Sequence, residues 1–147
     1  MNIFISHSSK DAVLFDLIRL KLKEQQFHVP EKRQGLQWYS AIISGNKQKI
    51  KRCDLGIVLF SPRGKGSYLV HQEAAYLNML CKNHFILESN GAEYRLTERN
   101  FENEIPAAQN ESFQEEKLMV KTVLEKISLT IHHESHKMIF HTSMVFE

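Results

Sequence analysis

Short apolar runs alternate with stretches of helical spacing along the first part of the chain. Four apolar runs predict strands, at residues 3–5, 27–29, 55–60 and 84–87. Between them, apolar residues recur every three or four positions and predict helices, at residues 10–26, 47–52 and 68–81. Because a parallel return needs a crossover helix, we expect an α/β, flavodoxin-like three-layer fold with a central, mostly parallel sheet flanked by helices.

The pattern of apolar positions is weaker in the rest of the chain. Residues 30–46 are hard to place, and residues 88–109 are polar and irregular, so neither segment predicts a regular element. Ser112 opens a Ser-x-x-Glu capping box, and the apolar spacing after it predicts a long amphipathic helix to about residue 132. We expect residues 132–147 to add an edge strand or to pack on a partner. Residues 1–147 are thus predicted to form a single domain, with 132–147 as its C-terminal extension.

Composition narrows the class of protein. The 147 residues are 42% hydrophobic and 24% charged, as in one globular domain that needs no disulfide or structural metal. A net charge of +2 is too balanced for a protein that binds nucleic acid by neutralising phosphates. Cys53 and Cys81 lack metal-ligand spacing and favour a cytoplasmic location. No signal peptide and no membrane-spanning apolar segment is present in the sequence, so we expect no membrane partner.

The loops after the predicted strands carry the candidate chemistry, because ligands of parallel α/β sheets bind beyond the carboxyl ends of the strands. Ser8 and Asp11 have the Ser-x-x-Asp spacing of a helix capping box. The loop at residues 63–66, Arg-Gly-Lys-Gly, could approach an anion, but it lacks a full P-loop pattern and is more typical of a solvated loop. Histidines at 132, 133 and 136 have metal-ligand spacing, but surface histidines are the favoured interpretation and we predict no metal site.

The chain resembles the TIR (Toll/interleukin receptor) domain family, in particular its small prokaryotic, Thoeris-like members. The resemblance rests on FISHSSKD at residues 4–11, on CDLGIVLFSP at 53–62 and on the helix that leads from residue 67 to Glu73-Ala74-Ala75. It covers residues 2–87. It implies an NAD+ glycohydrolase or ADP-ribosyl cyclase of bacterial antiphage defence, with NAD+ as substrate and no other cofactor. The product would be a signalling nucleotide for a separate effector protein.

Glu73 is the catalytic residue that this resemblance implies, since it falls on the family's glutamate for cleavage of the bond between nicotinamide and ribose. A carboxylate can stabilise the oxocarbenium-like charge that develops on the ribosyl group. Helical spacing places Glu73 on an apolar face, where a charged residue is unusual. The structural alternative is a glutamate at the core boundary that reaches water. Leu69 stands where many family members carry a tryptophan.

The resemblance also implies residues that bind the substrate. They are Ser6, His7 and Ser8 at the end of the first strand, together with Leu69, and Arg33, Trp38 and Tyr39 in the long second loop. The aromatic pair could stack on nicotinamide or adenine, or simply pack in the interior. Arg33 could meet the pyrophosphate or a partner, or remain solvated. Capping alone is the structural alternative for the serines and for His7.

Two other functions stay open. One is a non-enzymatic TIR module that assembles through its second loop and helix faces. The other is a nucleoside deoxyribosyltransferase-like enzyme, which has a similar sheet and a glutamate nucleophile. For the enzymatic interpretation, the family implies a homo-oligomer held by TIR–TIR contacts, in which a neighbouring second loop completes the pocket.

Overall fold

A computed structural model of the chain describes residues 1–30, 39–61, 68–91, 93–101 and 107–146. Within these ranges, side chains are described except those of residues 39–44, 107–110 and 131–146. In the part of the chain that is described, no helix has both the length and the apolar character needed to cross a bilayer.

The described strands form one mixed sheet. Its strands are β1 (Ile3–Ser6), β2 (Leu55–Phe60), β3 (His84–Ser89) and β4 (Tyr94–Arg99), in that spatial order. The pairs β1–β2 and β2–β3 are parallel, whereas β3–β4 is antiparallel. This confirms the predicted α/β class with a mostly parallel sheet.

The apolar segment at 27–29 forms less structure than predicted. It pairs with the chain before β1 only through an isolated parallel bridge between Asn2 and His28. The amide of Ile3 donates to the carbonyl of His28 at 2.9 Å. Pro30 follows directly and has no N–H to continue a ladder. The segment therefore lies beside β1, as a flavodoxin-like order requires, without becoming a full strand.

β4 was not predicted, although its turn carries a signal. Asn90-Gly91 is a turn dipeptide, and Gly91 has a φ of 96°, a value that glycine tolerates. The side-chain oxygen of Asn90 accepts from the amide of Glu93 at 2.9 Å and closes the turn. β4 is an edge strand of the described sheet with no fully buried residue, so it lacks a strong apolar pattern.

The helices differ from the prediction mainly at their bounds. They are α1 (Ala12–Glu24), α2 (Tyr39–Arg52), α3 (Tyr68–Met79) and α4 (Ala107–Phe146). α2 begins eight residues before the predicted short helix at 47–52, because Gly45 and Asn46 lie inside it rather than breaking it. The edge strand expected within 132–147 is wrong, since α4 continues through residue 146. Ser112 likewise lies inside α4 and does not begin it.

Both faces of the sheet are covered, which gives the predicted three layers. On one face, Ile5 and Ile57 pack with residues of α1 and α4 such as Ile18 and Leu124. On the other face, a cluster joins the strands to α2 and α3, with members Phe4, Val58, Ile50, Val70 and Leu77. Side chains alternate between the two faces along each strand, so successive residues of β1 belong to different clusters.

Gly56 sets how closely α3 approaches the sheet. A Cβ atom at this position would lie 2.9 Å from Cδ2 of Leu77 and 3.1 Å from Cβ of His84. Leu77 is fully buried and cannot move aside without disturbing its cluster. The absence of a side chain at Gly56 therefore allows α3 to pack directly on β2.

We expect Gly56→Ala to lower the free energy of unfolding by about 1–3 kcal/mol, because the added methyl group overpacks the contact with Leu77. Gly45→Ala is the matched control: nothing lies within 4 Å of a Cβ at Gly45 in α2, and alanine is the better helix former by about 1 kcal/mol. Denaturant unfolding should therefore show effects of opposite sign. A Gly56→Ala protein as stable as the parent would contradict the close approach.

His84 should make stability depend on pH. Burial lowers its pKa from 6.5, and the positive charge of Arg99 lowers it further, against a hydrogen bond from Nδ1 to the carbonyl of Lys82. Between the lowered folded-state pKa and 6.5, the unfolded chain binds a proton that the folded chain does not. The contribution is thus present above pH 6.5 and is lost as the pH falls below it. Melting curves from pH 7.5 to 5 should show this loss.

His84→Gln should weaken that pH dependence, whereas the same substitution at the exposed His28 should leave it unchanged. An identical pH profile for parent and His84→Gln would rule out His84 as its source.

Candidate active site

Glu73 is a buried carboxylate at the carboxyl end of the sheet. Its side chain is 4% exposed, and Oε1 accepts a hydrogen bond from Oγ of Ser6 at 2.7 Å. Ser6 ends β1 and shares a strand face with Phe4, which packs towards α2 and α3. Val70 and Leu77 bury the same side of α3 and so carry Glu73 inward. The structure therefore brings together two of the predicted site residues, Ser6 and Glu73.

Glu73 also lies in the wall of a cavity of about 480 Å³ between α2 and α3. This volume is in the range of small-molecule sites. The residues that line it come from both helices: Asn46, Lys47 and Ile50 from α2, and Leu69, Gln72, Glu73, Ala75, Tyr76 and Met79 from α3. Leu69 was also predicted as a site residue, and it reaches this cavity one helical turn before Glu73.

The α2 side of the cavity contributes polar groups that sequence reasoning missed. Asn46 is 1% exposed, and Lys47 lies beside it with Nζ 5.5 Å from the centroid of the Tyr76 ring. A cation over an aromatic face holds α2 and α3 together across the cavity. The sequence predicts this helix only from residue 47 onwards, and this hid Asn46 as a candidate.

His7 lies apart from Glu73. Its ring stacks on Phe15 of α1, with centroids 4.1 Å apart, and Nδ1 donates to the carbonyl of Ser8 at 2.8 Å. The side chain is 1% exposed and packs towards α1, on the opposite side of the sheet from α3. The structure thus uses the His7 ring in packing against α1, and its predicted contact with substrate stays a prediction.

Ser8 belongs to a second polar cluster at the same end of the sheet. Oγ of Ser8 donates to Oδ2 of Asp11 at 3.1 Å, and Oγ of Ser61 donates to Oδ1 at 2.6 Å. All three side chains are buried. Ser8 precedes the first helical turn as predicted, but its hydroxyl makes no cap hydrogen bond to the backbone. The Ser-x-x-Asp pair thus serves to tie the end of β1 to the end of β2 through Ser61.

Tyr94 lies close enough to this cluster for the charge of Asp11 to affect the pKa of the tyrosine hydroxyl. Burial raises the pKa of Tyr94, the negative charge of Asp11 raises it further, and a hydrogen bond with Ser89 lowers it. The two largest effects, burial and the charge of Asp11, both favour the neutral phenol. The start of β4 therefore adds a hydroxyl, not a charge, near Asp11.

Some predicted residues cannot be placed in this site. Arg33 and Trp38 lie outside the described residues, as does the loop at 63–66, and the side chain of Tyr39, the first residue of α2, is not described. Within the described ranges, no three His, Cys, Asp or Glu side chains cluster as metal ligands would. The side chains of the histidines at 132, 133 and 136 lie outside those ranges.

Comparison with known proteins shows the fold. No family model matches the sequence, and no curated protein matches it. A 2-desoxiribosyltransferase from Leishmania mexicana is similar in structure, with a TM-score of 0.53 and 18% identity over 63% of this chain and 67% of that one. A CMP N-glycosidase from Clostridium botulinum has a TM-score of 0.48 and 18% identity over 62% of this chain and 71% of that one. At 18% identity, the first likeness shows a shared fold.

We expect Asp11→Ala to lower the free energy of unfolding by about 2–4 kcal/mol, because two buried hydroxyls lose a charged acceptor. Asp16→Ala, which removes an exposed carboxylate on α1, should change it by less than about 0.5 kcal/mol. Urea denaturation of the two variants measures the difference. Equal stabilities would show that the Asp11 cluster does not hold the two strand ends together.

Proposed function

We propose that this protein is an enzyme that cleaves or transfers the N-glycosidic bond of a nucleoside or nucleotide, with Glu73 as the group that meets C1′ of the sugar. The observation that carries the proposal is the position of Glu73: a buried carboxylate, fixed by Ser6 at 2.7 Å, in the wall of a cavity of about 480 Å³. Carboxylates are rarely buried without a specific partner or task.

Cleavage of an N-glycosidic bond is assisted by a carboxylate beside C1′ of the sugar. As the bond between C1′ and the base nitrogen breaks, its electron pair leaves with the base, and positive charge develops on C1′ and the ring oxygen. Glu73 stabilises this charge or forms a bond to C1′. Water or a second base then bonds to C1′ and displaces the carboxylate where that bond has formed, and the proton lost by the acceptor goes to solvent. A base that leaves as an anion takes a proton from solvent. The hydrogen bond from Ser6 holds Oε1 in place before the substrate arrives, which limits reorganisation.

The fold shared with a 2-desoxiribosyltransferase makes nucleosides the first substrates to test. NAD+ is the second candidate, because it also contains an N-glycosidic bond and nicotinamide leaves as a neutral base. The observation that favours it is that Ser6 and Glu73, which the TIR resemblance places in one pocket, are hydrogen-bonded to each other. The proposed roles in antiphage signalling, with a homo-oligomer and a separate effector, rest on that resemblance alone.

We expect the purified protein to release free base from at least one member of a panel of ribonucleosides, 2′-deoxyribonucleosides, their 5′-monophosphates and NAD+. Glu73→Gln should lower the rate by at least about 100-fold, because the amide keeps the shape but lacks the charge opposed to the ribosyl cation. Chromatography of the products measures both the rate and the substrate. The amide oxygen can still accept from Ser6, so the melting temperature should stay close to that of the parent.

Glu115→Gln is the matched control, since Glu115 is exposed on α4; it should retain the parent's rate. Turnover by Glu73→Gln at that same rate would remove Glu73 from the chemistry. A parent protein that released no base from any member of the panel would favour the non-enzymatic TIR module.

A further inference from the structure

Asn46 has a buried amide group to which no described residue of the protein makes a hydrogen bond. Its side chain is 1% exposed, and among the described residues neither Oδ1 nor Nδ2 has a hydrogen-bond partner. A buried amide of this kind costs folding free energy, and nearly all such groups in folded proteins are paired. The exception calls for a partner that the described part of the chain does not provide.

The position of Asn46 indicates where that partner binds. Asn46 lines the same cavity as Glu73, on the facing helix α2. Ile50, one turn further along α2, is fully buried and belongs to the cluster beneath the cavity. Because the buried Ile50 fixes the rotation of α2, Asn46 faces α3 rather than solvent.

We propose that Asn46 binds the substrate of the Glu73 site by pairing with a neighbouring donor and acceptor on that substrate. The inference rests on the proposed function and names a residue that sets its specificity. The carbonyl of an amide needs a donor and its NH₂ group needs an acceptor. Two parts of a nucleoside offer both side by side: the 2′- and 3′-hydroxyls of the sugar, and the amide edge of a base such as hypoxanthine.

If Asn46 binds the substrate, a single substitution should raise the stability of the ligand-free protein and weaken substrate binding. Asn46→Leu keeps the number and branching of the side-chain heavy atoms and removes the buried polar atoms. The melting temperature of the ligand-free protein should rise by about 3 °C, because an unpaired amide no longer has to be buried. Binding should weaken at least tenfold, because the polar groups of the substrate lose their partner. A purely structural Asn46 would give the opposite change in melting temperature and no specific loss of binding.

Calorimetric titration with inosine tests the proposal, in a Glu73→Gln background so that no turnover occurs. The probes are inosine, 2′-deoxyinosine, 3′-deoxyinosine and purine riboside, which keeps the sugar but lacks the amide edge. If Asn46 pairs with the sugar, the tenfold loss of affinity that Asn46→Leu causes disappears with a deoxy analogue. If it pairs with the base, that loss disappears with purine riboside.

Gln48→Ala is the control, since Gln48 is exposed on the same helix, and it should bind as the parent does. An Asn46→Leu protein that binds inosine unchanged, that loses affinity equally for all four probes, or that melts at a lower temperature overturns the proposal. So does a parent that binds none of the probes. Failure of the proposed function is seen separately, as base release that does not depend on Glu73, and it leaves the binding comparison intact.

Discussion

The hydrogen bond between Ser6 and Glu73 is the constraint around which the candidate site is built. It joins the end of the first strand to the middle of the third helix, at 2.7 Å and away from solvent. A carboxylate loses its hydration on burial, and this loss is tolerable only where a donor is held in place. Gly56 helps to bring the carboxylate to that donor, because its missing side chain lets α3 lie close against the sheet.

The same geometry explains why Glu73 lies in the wall of a cavity as well as beside the sheet. Apolar residues on either side of Glu73 along α3, Val70 and Leu77, are fully buried and fix the rotation of the helix. Leu69 and Tyr76 then extend from the same helix towards α2 and leave a space between the two. A charged group at the boundary of core and cavity has a low-dielectric surrounding on one side and room for a ligand on the other, which strengthens its effect on a developing cation.

The parts of this site that could be predicted depend on short-range patterns. The TIR resemblance, which rests on local motifs, implied both Ser6 at the end of the first strand and Glu73 as site residues, and helical spacing placed Glu73 on an apolar face. Asn46 was missed because Gly45-Asn46 has poor helix propensity, whereas burial of Ile50 against the sheet stabilises the helix through that point. β4 was missed for a related reason: as an edge strand with charged residues such as Arg95, it pairs through its backbone and has little apolar pattern.

Two buried polar side chains, Asp11 and Asn46, differ in whether the described residues satisfy their hydrogen bonds. Asp11 receives hydrogen bonds on both carboxylate oxygens from Ser8 and Ser61, so the protein itself satisfies it. Asn46 has none within the described residues, although it is buried to the same degree or more. A satisfied group holds strand ends together and needs nothing from outside. An unsatisfied one lowers stability in the free protein, and this cost is recovered only when a ligand supplies the missing donor and acceptor.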